Sequence, residues 1–193
     1  IIIVGAGVGG LTLAQALHRH HIPFHLYERQ PRAHQRQGHR FRISDGAFAA
    51  LHGALRPQVA HLLVATAPVQ SQPNTALRYP DARLFKFEPW PASLASSVPI
   101  DRAWIRAVLE TGLDAHMTYG KELASYHQAP SNSRDDAAGT QAVTVTFTDG
   151  STARGALLVG ADGIRSRVRR QLQPTRHLLD LNRVISWGRT PLT

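Results

Sequence analysis

Ile1-Ile2-Ile3-Val4, then Gly5-Ala6-Gly7-Val8-Gly9-Gly10, then Leu11 to His21: the reading of this opening stretch decides the fold. Four β-branched apolar residues in a row predict a strand buried on both faces, as in a parallel sheet. Gly5, Gly7 and Gly10 follow it with G-x-G-x-x-G spacing. At the first position glycine allows a tight turn, and at the second it lets a pyrophosphate approach the backbone. At the third it lets the next helix close onto the strand. Leu11, Ala14 and Leu17, with Leu13 and Ala16 beside them, make the apolar stripe of that helix. Its N-terminus offers unpaired N–H groups and a positive dipole end to an anion.

A second strand is expected over Pro23 to Tyr27, with Glu28 at its end, 18 residues beyond Gly10. That is close to the roughly 20 residues that separate such a loop from a ribose-binding carboxylate. A carboxylate accepts both hydroxyls of an adenosine ribose and repels a 2′-phosphate. Position 28 therefore argues for FAD or NAD in this site and against NADP. Strand, glycines, helix and acid occur together, which makes a ligand-free turn the weaker reading.

The 193 residues suffice for one large domain, or for one domain and part of another. The apolar fraction of 42% is ordinary, and no run is long enough to span a bilayer, so membrane association is not indicated. The absence of cysteine excludes disulfides, thiolate chemistry, Cys-ligated metals and a cysteinyl-linked flavin. The chain starts inside its first strand with no initiator Met and no basic leader, so a trimmed N-terminus is expected; the expected compartment is intracellular, the cytoplasm. The formal charge is +9, and all of the 22 basic residues except Lys86 and Lys121 are arginine, whose fork suits phosphate. These arginines are spread along the chain and aromatic residues are sparse, which argues against a nucleic-acid partner.

Further on, Gly38 to Ser44 is a short alternating stretch, and Asp45 is the expected N-cap of a helix over 46–52. Pro57 opens a helix to Ala65. Thr75 to Tyr79 and Arg83 to Glu88 read as a hairpin about Pro80-Asp81, and 89–99, with three prolines, as irregular. Asp101 caps a helix from Arg102 to Thr111, stopped by Gly112, with Ile105, Val108 and Leu109 inward and Arg102 and Arg106 on another face. Short strands are expected over 116–119 and 122–127, and a loop over 129–141. Val143 to Phe147 alternates as a half-buried strand, and Asp149-Gly150 reads as a two-residue hairpin turn. Ala156 to Val159 reads as a second fully buried strand. Gly160-Ala161-Asp162-Gly163 follows, then a basic helix with Ile164, Val168 and Leu172 inward. A strand-like piece over 183–187 precedes the end. His18 and His21 lack a third ligand, and no metal site is expected.

Three stretches together resemble the FAD-dependent aromatic hydroxylases, the single-component flavoprotein monooxygenases. They are Ile1 to Arg29, the helix Asp101-Arg102-Ala103-Trp104-Ile105-Arg106 with Leu109, and Leu157 to Arg169 with its Gly160-Ala161-Asp162-Gly163 core. Gly38 to Ser44 also resembles a family segment that runs along the flavin. The resemblance implies that Gly5, Gly7 and Gly10 cradle the FAD pyrophosphate and that Glu28 holds the adenosine ribose. It further implies that Arg29 lies over the adenine end, that Gly38 lines the flavin segment and that Arg102 reaches the cofactor from its helix. Asp162 would sit by the pyrophosphate; a turn residue or helix cap is the weaker reading. Arg165, Arg167, Arg169 and Arg170 read as a solvated face. The implied chemistry is reduction of FAD by transient NAD(P)H, formation of a flavin C4a-hydroperoxide from molecular oxygen, and hydroxylation of an aromatic or polyketide-like small molecule. The implied fold class is α/β, a Rossmann-like FAD-binding fold of the three-layer ββα type with the beginnings of a mixed-sheet substrate domain. The expected division is an FAD-binding domain over 1–172, with an excursion over 68–100 toward the substrate, and the start of a truncated substrate domain over 173–193. No later Gly-Asp fingerprint of the family occurs in the chain, so no catalytic residue can be named. The alternatives are a non-catalytic FAD- or nucleotide-binding remnant and an NAD-dependent dehydrogenase. The hairpin around Asp149-Gly150 counts against the dehydrogenase, because a doubly wound domain would continue strand–helix–strand there.

Overall fold

A computed structural model describes residues 1–32, 40–67, 75–77, 87–89, 97–128, 142–182 and 184. In chain order its elements are β1 Ile2–Val4, α1 Val8–Arg19, β2 His25–Glu28, β3 Arg40–Ser44, α2 Asp45–Ala54, α3 Pro57–Ala65, β4 Thr75–Leu77 and β5 Phe87–Pro89. Then come β6 Ser97–Asp101, α4 Arg102–Glu110, a 3-10 turn Asp114–His116, β7 Met117–Tyr119, β8 Leu123–Gln128, β9 Val143–Phe147, β10 Thr152–Gly155, β11 Leu158–Gly160 and α5 Arg167–Leu172.

The isoleucine run forms β1, and all three of its residues are buried. It pairs in parallel with β2 on one side and β11 on the other, and β7 adds beyond β2, giving the order β11-β1-β2-β7. Side chains alternate between the two faces of this sheet. Ile3 stands opposite Leu26, Leu26 opposite Met117, and these join Leu11, Ala14, Leu17, Leu51, Val59, Ile105 and Leu109 in a core roofed by the helices. Ile2 and Val4 point the other way, into a second core with Leu123, Val145, Phe147 and Val168. That core lies under the antiparallel sheet β10-β9-β8. Helices, parallel sheet and antiparallel sheet make the three layers expected.

Polar contacts lock the helical layer. Gln15, fully buried on α1, donates through its amide nitrogen to Leu109 O at 2.7 Å and Thr111 O at 3.0 Å, and accepts from Arg56 Nε at 3.1 Å. Arg56 also donates to Thr111 O at 2.7 Å, so one network ties α1, the start of α3 and the end of α4. Asp101 caps α4 as expected, accepting from the N–H groups of Ala103 and Trp104. Gly112, with φ of 72°, supplies the left-handed turn that ends it.

Several expectations are corrected. Ser44, not Asp45, is the N-cap of α2, its hydroxyl accepting from Ala47 N–H; Asp45 falls in the first turn, where its charge suits the dipole. The stretch 89–99 is not wholly irregular, because Ser97–Asp101 pairs antiparallel with β3, with Pro99 opposite Arg42. A two-stranded ladder leaves one edge of each strand unpaired, which is where proline is tolerated. The 75–88 hairpin pairs over shorter strands, Thr75 to Leu77 against Phe87 to Pro89, and its turn lies outside the described residues, as do the whole 129–141 loop and most of 183–187. At Asp149 only Gly150 has positive φ, at 82°, and Phe147 N–H donates to Ser151 O. The loop is therefore a three-residue turn with a left-handed glycine rather than a two-residue one. Strand β11 is half-buried, with Leu157 before it 51% exposed, since it ends the sheet order among the described residues. Ile164 and Leu172 are 73% and 67% exposed, and only Val168 of the expected inner face is buried. Helix α5 starts at Arg167, which leaves Ile164 in the preceding turn.

Candidate functional site

The carboxyl ends of β1, β2 and β11 meet at one edge of the parallel sheet. The chain leaves β1 toward β2 on one side and returns to β11 on the other. Open parallel sheets form a ligand crevice at such a switch of direction. Backbone bonds stitch the three ends together: Gly5 N–H donates to Tyr27 O at 2.8 Å and Ala161 N–H to Val4 O at 2.8 Å.

The glycines of the loop divide by their surroundings. Gly5 has φ of 106°, and a Cβ built on it would lie 2.4 Å from Ala161 O and 2.9 Å from Asp162 Cα. A Cβ on Gly10 would lie 2.0 Å from Gly5 O and 3.1 Å from Ala161 Cβ. Both positions are closed by protein backbone, so any side chain would push β1, α1 and the β11 turn apart. Gly7 and Gly9 differ, for a Cβ on either meets nothing within 4 Å. The requirement for glycine at 5 and 10 thus comes from the fold, whereas at 7 the fold leaves open space.

Gly7 is the N-cap of α1 and has no side-chain cap, and the first turn contains no acidic residue. The N–H groups of that turn have no intrahelical partner, and the dipole leaves positive potential there. Glu28 is buried at the end of β2. One of its oxygens accepts from Ala6 N–H at 2.7 Å and the other from Gln30 N–H at 2.9 Å. Each carboxylate oxygen can accept a second bond, so acceptor capacity remains for hydroxyls. Ala6 was not singled out from the sequence, and nothing but its place between two glycines marks it.

Asp162 sits against Gly5 across the sheet edge. Its Oδ2 accepts from the N–H groups of Arg167 at 2.7 Å and Val168 at 3.3 Å, so it caps the start of α5, beside Ser166, which accepts from Arg169 N–H. Its Oδ1 is buried with no partner. A buried acceptor left unmatched costs about 1–3 kcal/mol. Gly160, ahead of it, is closed in the manner of Gly10: a Cβ would lie 2.7 Å from Val168 Cβ.

Arg29 and Arg102 are exposed, Arg29 after β2 and Arg102 at the first position of α4. Gly38 lies outside the described residues. Arg106, placed with Arg102 on a face other than the core-facing one by sequence spacing, is buried. Three of the four arginines of the 165–170 segment bond to carbonyls or carboxylates: Arg167 to Glu122 and Leu123 O, Arg169 to Ile164 O, Arg170 to Ser166 O and Arg165 O. Among the described residues no group of three His, Asp or Glu side chains could hold a metal, and no helix is long and apolar enough to cross a membrane.

One other ionic feature borders the site. Burial pushes the Glu110 carboxyl up, opposed by Arg106, a hydrogen bond with Tyr119 and Arg32. Toward the C-terminal end of α1, burial, Arg56, His116 and His21 lower the pKa of the His18 imidazole, which meets His116 edge-on at 5.1 Å between ring centres.

The fit to a dinucleotide is tested by these atoms: an open glycine, an uncapped helix start and a carboxylate at the end of β2. They suit a pyrophosphate with an attached ribose. Residues 3–64 match the NAD(P)-binding Rossmann-like domain. The dual O-methyltransferase/FAD-dependent monooxygenase elcB of Phaeosphaeria nodorum is 34% identical over 199 aligned positions, covering 100% of this chain and 21% of that protein. The FAD-dependent monooxygenase dbaB of Emericella nidulans is 34% identical, covering 89% of this chain and 42% of that one. The chain thus spans less than half the length of these relatives. In fold it is similar to 2,6-dihydroxypyridine-3-hydroxylase from Arthrobacter nicotinovorans, with a TM-score of 0.61 at 23% identity over 90% of this chain and 39% of that one. It is also similar to aklavinone-11 hydroxylase, solved with FAD and aklavinone, with a TM-score of 0.62 at 23% identity over 89% of this chain and 34% of that one. These matches support a relationship to the FAD-dependent aromatic hydroxylases of the flavoprotein monooxygenases, over part of the length of those proteins.

Proposed function

We propose that the chain is the FAD-binding part of an NAD(P)H-dependent monooxygenase that hydroxylates an aromatic or polyketide-like small molecule. The observation that carries this reading is the division of the loop glycines, closed at Gly5 and Gly10 and open at Gly7, beside the orphan Asp162 Oδ1. Gly7 and the start of α1 bind the pyrophosphate, and Glu28 accepts the ribose hydroxyls while keeping its bond to Ala6. Asp162 fixes the far side of the pyrophosphate, through a bridging water or a metal-free hydrogen-bond relay, since two anions do not bond directly. Arg29 lies over the adenine end and Arg102 approaches the cofactor from α4. Residues 1–172 form the cofactor unit; much of 68–100 and of 173–193, the expected substrate-side segments, lies outside the described residues.

When bound, FAD supplies acceptance of a hydride from NAD(P)H and activation of molecular oxygen; the protein supplies binding, orientation and exclusion of water. Relatives named FAD-dependent monooxygenases and a neighbour solved with FAD and aklavinone support this assignment.

The test is titration with FAD followed by flavin fluorescence, with Glu28→Ala alongside. The expected result is saturable binding by wild type, weakened at least about tenfold in the variant, the equivalent of one charge-assisted bond. Competition should be stronger with ADP than with 2′,5′-ADP, whose extra phosphate meets Glu28. Folded wild type that binds no FAD overturns the reading.

A further inference from the structure

Helix α4 carries Arg102, Arg106 and Glu110 at i, i+4 and i+8, which places them on one stripe. Arg102, at the first position, is exposed. One turn on, Arg106 is only 9% exposed, and its Nε makes no hydrogen bond. A buried guanidinium is ordinarily matched by carboxylates or carbonyls, because an unmatched charged donor forfeits hydration without replacement. At the end of the stripe, Glu110 senses Arg106, Tyr119, Arg32 and Glu28. Tyr119 and Glu28 stand opposite each other in the β2–β7 register, and Glu28 grips Ala6 of the glycine loop. Arg106 therefore lies between the exposed Arg102 and the Glu110–Glu28 side of the proposed nucleotide site. Its helix packs on α1, whose uncapped start opens that site.

We propose that Arg106 donates to a phosphate oxygen of the bound ADP moiety and so reads the phosphate of the adenine dinucleotide. This rests on the FAD reading of the glycine loop. Guanidinium chemistry suits the role: it is permanently charged and planar, and Nε and one Nη can donate together to one phosphate. The α1 N–H groups approach the phosphates from one side and Arg106 from the other. Glu110 offsets its charge while no anion is bound.

The test is displacement of FAD by ADP and, separately, by adenosine, for wild type, Arg106→Gln and Arg106→Lys. Arg106→Gln should weaken ADP about tenfold or more, while adenosine, which lacks phosphate, changes less than about twofold. Arg106→Lys should recover part of the ADP affinity, because the charge remains and the fork is lost. Equal losses for ADP and adenosine mean that Arg106 only packs the helix, and unchanged ADP affinity means that it touches no phosphate; either overturns the proposal. If Arg106→Gln does not fold, Arg106→Lys decides by the same comparison. Wild type that binds neither FAD nor ADP overturns both the FAD reading and this one. Wild type that binds both, with a non-selective variant, overturns this one alone.

Discussion

The chain turns twice from a parallel strand toward a helix through glycines, after β1 at Gly5–Gly10 and after β11 at Gly160–Gly163. The first turn follows a fully buried strand and opens a helix of twelve residues that has no side-chain cap. The second follows a half-buried strand and leads to a helix of six residues capped by both Asp162 and Ser166. One turn leaves its helix dipole and N–H groups for something else to satisfy. The other satisfies its own helix with one carboxylate oxygen and keeps the second in reserve. Two similar glycine patterns thus divide one task, and each turn is completed by the other: a Cβ on Gly5 would strike the backbone of Ala161 and Asp162.

The largest effect should come from breaking that junction. Gly10→Ala puts a methyl 2.0 Å from Gly5 O, with Ala161 Cβ at 3.1 Å, and should cost about 3 kcal/mol. Gly163→Ala, in open space at φ of 77°, should cost about 1 kcal/mol, the ordinary left-handed penalty. Urea unfolding at constant slope measures both. Similar losses would mean that the two turns are not built differently.

Next in size is the self-capping of the second turn. Asp162→Ala removes the acceptor of two N–H groups and should cost about 1 kcal/mol. Ser166→Ala should cost a similar or smaller amount. A double variant no worse than either single one would show that only one cap acts, and unfolding curves decide it.

The smallest effect concerns pH. The folded-state pKa values of His18 and His25 are lowered, chiefly by burial, from the model-peptide value of 6.5. Above that value both states are neutral and the two histidines leave stability unchanged. As pH falls through it the unfolded chain takes up protons that the folded one resists, so stability should drop. His18→Gln should make that drop shallower in thermal melts between neutral pH and pH about 5. An unchanged slope removes His18 as a contributor. Asp149, held well below the usual carboxylate range by Lys121 and Ser151, acts only at more acidic pH.

The β1–α1–β2 unit was legible because its signals are local: an apolar run, glycine spacing and a helical stripe. The cap of α4 at Asp101 was legible for the same reason. Features set by distant partners were not. Strand β11 has the composition of a buried strand, yet burial depends on neighbours, and it ends the sheet order here. Pro99 hid β6, whose pairing with β3 joins residues far apart in the chain. Spacing put Arg106 on a face away from Ile105, Val108 and Leu109, and its burial depends on how α4 packs in the helical layer, which local sequence does not carry. In the site, glycine spacing marked positions 5, 7 and 10 alike. Only the structure separates the two that the fold needs from the one it leaves open.

That separation is tested most directly by Gly7→Val, with FAD affinity and urea stability measured on one preparation. Gly7 has φ of −72° and ψ of 177°, extended backbone that valine adopts, and its Cβ would meet nothing within 4 Å. The account predicts stability within about 1 kcal/mol of wild type together with loss of saturable FAD binding. Retained FAD affinity in a folded Gly7→Val protein would contradict it, because the space at Gly7 would then not be where the pyrophosphate sits.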